Sequence, residues 1–428
     1  MKISTFRLTP IALTDPPLRA ASGLHAPFAL RLILELIDGN GVVGISESPC
    51  TPAIEQALEA VGPILVGADP CRFVPLLLEV EESLGQGREG ARGDAPWDQR
   101  VLVHVLSAIE VACLDLAGKQ LGRSLGDLLG GRVRDRVPFG AYLFYKHEGA
   151  GGALEFGTDP EATGWAEARQ KPAMTPDEIV AQAVSMCAAF GFTGIKLKGG
   201  VLPPGEERDA MIALRDAFGP DVPLRLDPNG IWKVETSIEI GKTLEGVLEY
   251  FEDPTRGQEA MAEVRRALKI PLATNMCTTS FADLPSSVRL GSEDIILSDH
   301  HFWGGIRPCI ELAKLCQVFG RGVSMHSNSH AGISLAAMVH LGSLIPNLDY
   351  ALDTHYPWQS EEVISEGRLR FVDGHVAVPE GPGLGVTLDR DALARLHQQY
   401  LDCGLTARND AVEMEKVEPG WTFQKIRW

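Results

Sequence analysis

From Lys198 to His326 the chain repeats one phrase: a short apolar run that stops at a polar or ionisable residue. The stops are Lys198, Asp227, Glu252, Asn275, Asp299 and His326. They fall about 25 residues apart, which is what one strand, one helix and two loops consume. Short strands alternating with helical stretches predict βα units on a parallel sheet. Phe144 upstream and the region of Asp353 downstream mark two more strand ends. Eight such units close into a (β/α)8 barrel of the TIM type, with its chemistry at the carboxyl ends of the strands. A doubly wound sheet is the alternative, but no G-x-G-x-x-G follows a first strand.

The flanks do not share this rhythm. Residues 1–130 read as an α+β capping domain. Phe28 to Ser48 predicts two strands joined at Asp38-Gly39-Asn40-Gly41, a turn whose residues tolerate positive φ. Helices are expected over 52–65, 70–84 and 99–120, the last apolar around most of its circumference and therefore buried. Gly85 to Pro96 reads as a loop. The barrel spans 131–355, and the tail, 356–428, is expected to pack back on the capping domain. His147 to Pro172 is too long for an ordinary βα loop and reads either as a lid or as a solvated excursion. Thr175-Pro176-Asp177-Glu178 is a capping box that starts the next helix.

The chain carries a net charge of −18 and no basic run. Nucleic acid and anionic membrane surfaces are poor partners for such a field. A small anionic substrate is compatible with it, because a metal ion and local Lys or Arg set the potential inside a site. The 8 cysteines include no C-x-x-C pair, so buried free thiols of a reducing compartment are expected. No long apolar run follows Lys2 and Arg7, and none could span a bilayer. The expectation is a soluble, cytoplasmic protein.

Lys196 and Lys198 alternate to the same side of the strand Ile195-Lys196-Leu197-Lys198. Alone, this is a solvated pair on an edge strand. The strand ends that follow reverse that reading. Two adjacent ammonium groups repel, which lowers the pKa of at least one and suits a base. Asp227, Glu252 and Asn275 place oxygen donors at three successive strand ends, a set that suits a hard cation such as Mg2+. Any one of them alone would be a loop cap. Asp299 and His326 follow as an acid–imidazole pair in which the Asp fixes the tautomer. In strand order His326 lies across the barrel mouth from Lys198. Two bases flanking a metal-bound carboxylate suit removal of a proton α to it.

These residues resemble the enolase superfamily: Ile195-Lys-Leu-Lys198, Asp227-Pro-Asn-Gly230, Glu252-Asp-Pro254, Asn275, Asp299 and His326. Within it the chain is most similar to the glucarate dehydratase family. Lys196-Leu-Lys-Gly-Gly-Val-Leu202, Ala273-Thr-Asn-Met276, His301-Phe-Trp303, His326-Ser-Asn328, His330, Asp353-Thr-His355 and Pro419-Gly-Trp-Thr-Phe423 carry the likeness. The resemblance implies Mg2+ on Asp227, Glu252 and Asn275. It implies Lys198 and the Asp299-supported His326 as the two bases, with Lys196 neutralising the substrate carboxylate. It further implies that His25, Tyr142, Asn229, Asn328, His355 and Arg408 line an acid-sugar site, with Arg408 on a distal carboxylate. A homo-oligomer is expected on the same ground. Two positions depart from the pattern. Ala20 stands where the family has Asn, and Val101 and Leu102 stand where it has Thr after the residue matching Arg100. Both changes remove a polar group expected to face substrate hydroxyls.

The leading expectation is a Mg2+-dependent acid-sugar dehydratase acting on glucarate or a related aldarate or aldonate. An epimerase or racemase on the same scaffold is the second. A weakly active relative that binds an acid sugar or a protein partner is the third.

Overall fold

The computed structural model describes residues 2–85, 100–148 and 156–428. Most of the loop expected over Gly85–Pro96, and residues 149–155 of the long excursion, lie outside the described residues.

The capping domain is an antiparallel meander of β1 (Ile3–Thr14), β2 (Phe28–Asp38) and β3 (Val43–Pro49), in that order. The β2–β3 turn forms as predicted: Asp38 Oδ1 accepts the N–H groups of Asn40 (2.8 Å) and Val42 (2.9 Å). β1 is an addition. Its Pro10 argues against a strand, but β1 is an edge strand, where a missing N–H is tolerated. Helices α1 (Pro52–Ala60), α2 (Phe73–Leu84) and α3 (Leu102–Leu121) follow. The apolar girth of α3 is explained by burial of nearly every residue from His104 to Gly118. It lies so close to β3 that a Cβ on Gly44 would stand 2.4 Å from Leu116 Cβ.

The barrel strands are β4 (Ala141–Phe144), β5 (Ile195–Lys198), β6 (Leu224–Asp227), β7 (Tyr250–Glu252), β8 (Leu272–Thr274), β9 (Ile295–Ser298) and β10 (Gly322–Met325). Each pairs in parallel with the next. The helices between and after them are α4 (Pro176–Phe190), α5 (Pro204–Phe218), α6 (Val234–Thr243), α7 (Gln258–Ala267), α8 (Leu284–Leu290), α9 (Ile306–Val318) and α10 (Gly332–Leu344). The capping box at Thr175 and Glu178 starts α4 as expected. The eighth position is irregular. Leu348 and Leu352 make single bridges to Val323 and Phe139. Gly140 N–H donates to Leu352 O (2.8 Å), and Asp353 N–H donates to Met325 O (3.0 Å). These bonds reach β4 on one side and β10 on the other, so the ring closes as a (β/α)8 barrel without a full eighth strand.

The tail touches both units. Residues His375–Ala377 pair with Arg136–Pro138 at the start of the barrel. Helix α11 (Arg390–Asp402) lies on β1, where His397 Nδ1 bonds Pro10 O (2.7 Å) and Gln399 Nε2 donates to Ala12 O (2.9 Å). Helix α12 (Asp410–Val417) packs on residues Gly23–Leu24. The described part of the long excursion, 156–172, is fastened to the barrel mouth: Trp165 Nε1 donates to Pro357 O (2.7 Å) and Lys146 Nζ to Ala168 O (3.0 Å). All eight cysteines are free; Cys50, Cys113, Cys309 and Cys316 are buried as expected, whereas Cys71 is exposed. Among the described residues no helix is long and apolar enough to cross a membrane.

Candidate active site

Lys196 and Lys198 do project to one side, into the barrel. Lys198 is in register with Asp227 on β6, and Lys196 with Arg225. Lys198 Nζ lies 2.5 Å from Asp227 Oδ2 and also donates to Asn229 Oδ1. Lys196 Nζ lies 2.6 Å from both Glu252 Oε2 and Asp353 Oδ2, and 4.9 Å above the Tyr142 ring centre. The two lysines are thus held by three carboxylates. This reverses the expected pKa shift. Burial lowers both lysines, but Asp353 and Glu252 at Lys196, and Asp227 at Lys198, outweigh burial and push both up. The sequence shows the two like charges side by side; it does not show Asp353 arriving from the end of the barrel.

Asp227, Glu252 and Asn275 converge as expected, although Asn275 stands one residue beyond β8. Asn275 Nδ2 donates to Glu252 Oε1 (2.7 Å). Asp253 fastens this corner by accepting Asn275 N–H (2.8 Å) and the Thr274 hydroxyl. It does so from φ +36, and Asn229 sits at φ +60. Such backbone strain clusters where surrounding bonds over-determine a site. Burial and the neighbouring Asp227 push the Glu252 carboxyl well up. Burial also opposes ionisation of Asp227, but Lys198 and then Lys196 overcome it and hold that carboxyl down. Two buried carboxylates that repel, beside one amide oxygen donor, form the donor set a hard divalent cation accepts.

Asp299 and His326 also stand one residue past their strands. Asp299 Oδ2 faces His326 Nδ1 at 3.2 Å. Phe302 lies against the imidazole, ring centres 4.6 Å apart. Burial raises the Asp299 carboxyl, but His301 and the dyad bonds prevail and hold it well below the carboxylate range. His300 and His301 crowd the same carboxylate into a potential three-residue metal cluster. Asp299 is already engaged there by His326 and by His301 Nδ1 (3.0 Å), which fits a support network for the imidazole better than a cation site.

One cavity takes in Lys198, His326, Tyr142, Asn229, Asn328, His25, His355 and Arg408. His355 Nε2 bonds Asp15 (2.9 Å), and its ring centre lies 6.4 Å from that of His25. Arg408 does not present an unengaged fork: its Nε donates to Asp410 Oδ1 (2.7 Å), and Nη2 reaches both Asp410 and His25 (2.8 Å). The cavity also takes in Ala20, Ser22, Phe144, Ser327 and Ser329. Of the two departures from the family pattern, Ala20 lies at the cavity. Val101 and Leu102, at the start of α3, are not among its lining residues. The roles of Asp15 and Asp353 went unread because each acts through a partner more than 150 residues away, His355 and Lys196 respectively; Asp410 went unread although its partner Arg408 is two residues off, because nothing local shows that either reaches the cavity.

A closed barrel with its ionisable residues at the strand ends, under a capping domain, is the layout of a barrel enzyme whose chemistry sits at that face. Residues 178–392 match the model described as enolase C-terminal domain-like. Residues 14–130 match the mandelate racemase / muconate lactonizing enzyme N-terminal domain. The chain belongs to the enolase superfamily. It is 44% identical to a probable glucarate dehydratase of Streptomyces coelicolor, over 100% of this chain and 99% of that protein. An enolase of Thermobispora bispora complexed with magnesium and formate matches with a TM-score of 0.91 at 46% identity, covering 98% of each chain. An enolase of Pseudomonas fluorescens with bound magnesium, potassium and tartrate matches with a TM-score of 0.91 at 45% identity, covering 100% of this chain and 99% of that one. The chain is accordingly a glucarate dehydratase-like hydro-lyase.

Proposed function

We propose that this enzyme dehydrates glucarate, or a closely related aldarate or aldonate, to the 2-keto-3-deoxy acid, with Mg2+ as cofactor. The carrying observation is that Lys198 and His326 line one cavity, with Lys198 bonded to the buried Asp227 carboxylate behind it. Asp227, Glu252 and Asn275 would hold the Mg2+. When bound, the ion supplies positive charge that stabilises the enediolate. With Asp227 engaged in holding the ion, Lys198 would lose part of the carboxylate pull that pushes it up. Lys196 neutralises the substrate carboxylate. Lys198 takes the α-proton from one face and His326 from the other, and His326 or Lys198 returns a proton to the departing β-hydroxyl. His25, Tyr142, Asn229, Asn328, His355 and Arg408 bind hydroxyls and the distal end. Magnesium and small carboxylates in the related solved structures support this reading.

The test is to incubate the purified protein and Mg2+ with a library of mono- and diacid sugars and assay α-keto acid. Product from glucarate or a near relative is expected. No product from any member would overturn the proposal. Deuterium uptake from solvent without keto acid would favour an epimerase instead.

A further inference from the structure

A buried line of polar groups runs from His326 into the capping domain. Asp299 Oδ2 faces His326 Nδ1, and Asp299 Oδ1 accepts His301 N–H (2.8 Å) and faces His301 Nδ1 (3.0 Å). On its far edge His301 Nε2 meets Arg31 Nη2 (3.2 Å), Ser334 Oγ (3.1 Å) and Glu47 O (3.1 Å). Arg31 Nε donates to Glu47 Oε1 (2.7 Å). Arg31 lies on β2 and Glu47 on β3, and both are buried.

Glu47 also caps a barrel helix. Its Oε1 accepts Ala331 N–H (2.8 Å) and its Oε2 accepts Ser334 N–H (3.0 Å), at the start of α10. That helix follows directly on the loop bearing His326. A carboxylate at a helix N-terminus satisfies otherwise orphaned N–H groups and the positive end of the dipole.

The protons of this line can be assigned by chemistry. A proton on Nε2 alone would suit the Glu47 carbonyl but would aim the His301 Nδ1 lone pair at the Asp299 carboxylate and oppose Arg31 with a second donor. Every state that avoids this carries a proton on Nδ1, donated to Asp299. Asp299 then remains an ionised acceptor for His326 Nδ1–H, which leaves proton acceptance to His326 Nε2.

We propose that Glu47 is a positioning residue for the His326 half of the reaction, acting from the capping domain through Arg31, His301 and Asp299. Glu47 neutralises Arg31 and holds it against His301; Arg31 holds the His301 ring in place by its Nε2 edge; His301, donating from Nδ1, fixes Asp299; Asp299 fixes His326. Lys198 has no part in this line. Its partners are Asp227 and Asn229, on the opposite side of the site. The capping domain therefore acts on one base and not on the other. The kinetic form of this claim rests on the two-base reading above.

Two measurements test it. The first needs no substrate: 15N chemical shifts of His326 in the full-length protein report its tautomer. Wild type is expected to carry the Nδ1 proton, and Glu47→Gln to populate the other tautomer. An unmoved tautomer overturns the proposal whatever the enzyme catalyses. The second is deuterium exchange in D2O with Mg2+, using glucarate and its epimer at the reacting carbon. Glu47→Gln should lower kcat for the His326-face epimer by ~10- to 100-fold, with KM and Lys198-face exchange within about 2-fold. Equal losses at both faces, or none, overturn the proposal. If Glu47→Gln does not fold, His301→Leu and His301→Asn take its place, since both leave the Glu47 caps intact. The Asn amide can still donate to Asp299 and should rescue the His326 face; rescue absent, the relay is wrong. Wild type exchanging at neither face would instead sink the two-base reading, and the tautomer measurement then decides the relay alone.

Discussion

Glu110, on α3 of the capping domain, accepts the backbone N–H of Ile306, the first residue of barrel helix α9. It reaches Arg307 N–H as well (3.3 Å). Gly305 caps the helix, and its φ of +137 and bare Cα make room: a Cβ there would stand 1.8 Å from Glu110 Oε2. α9 follows the strand end that bears Asp299. The capping domain thus plugs the N-termini of two barrel helices with buried carboxyl groups, Glu110 at α9 and Glu47 at α10.

Burial pushes the Glu110 carboxyl up to about 8, against the pull of its two N–H bonds. The folded state therefore holds its proton more tightly than the unfolded chain, whose reference value is 4.5. The stability this confers is fully present below 4.5 and is lost as pH rises through about 8. Between pH 5 and pH 9 the loss from this group is on the order of a few kcal/mol. Glu110→Gln should flatten that part of the curve. Urea unfolding at a series of pH values checks it, and a variant whose pH profile parallels wild type contradicts it.

Mg2+ should stabilise the fold by relieving the repulsion between Asp227 and Glu252. Adding millimolar Mg2+ to chelator-treated protein is expected to raise Tm by several degrees, and Asp227→Asn or Glu252→Gln should abolish the shift. Differential scanning calorimetry reads this without any substrate. A shift that survives in both variants would place the ion elsewhere.

Lys198→Ala and His326→Ala should separate the two faces. Each variant is expected to lose dehydration while keeping deuterium exchange with the one epimer that presents its proton to the remaining base. Loss of exchange with both epimers in either variant, Mg2+ binding intact, would contradict the assignment.

Asp353→Asn removes a carboxylate 2.6 Å from Lys196 and 3.6 Å from the buried Arg225 guanidinium. Breaking a buried pair on one side costs about 3–5 kcal/mol. The variant should melt lower by that measure and lose activity at least ~100-fold, because Lys196 no longer holds its place. A wild-type melting curve would show that Glu252 alone suffices for Lys196.

The barrel was legible because its signal is local. A parallel strand buried on both faces must be apolar, and the residue that leaves the sheet at its carboxyl end meets the site. Lys198, Asp227 and Glu252 end their strands as read; Asn275, Asp299 and His326 come one residue later. α3 was legible because a helix buried on all sides has no polar face. The irregular closure at Leu348–Asp353 was not, since single bridges leave no periodicity.

The sequence by itself determined the repeat of βα units, the order of chemical groups around the barrel mouth and the family likeness, because each depends on residues near one another in the chain. Only the tertiary structure decided the charge state and partners of those groups. Lys196 is raised rather than lowered because Asp353 closes on it from 157 residues away. Arg408 meets the cavity with its fork engaged by Asp410. Glu47 reaches the start of α10 across 284 residues. Coulomb interactions and desolvation depend on distance in space and on burial, and chain order encodes neither.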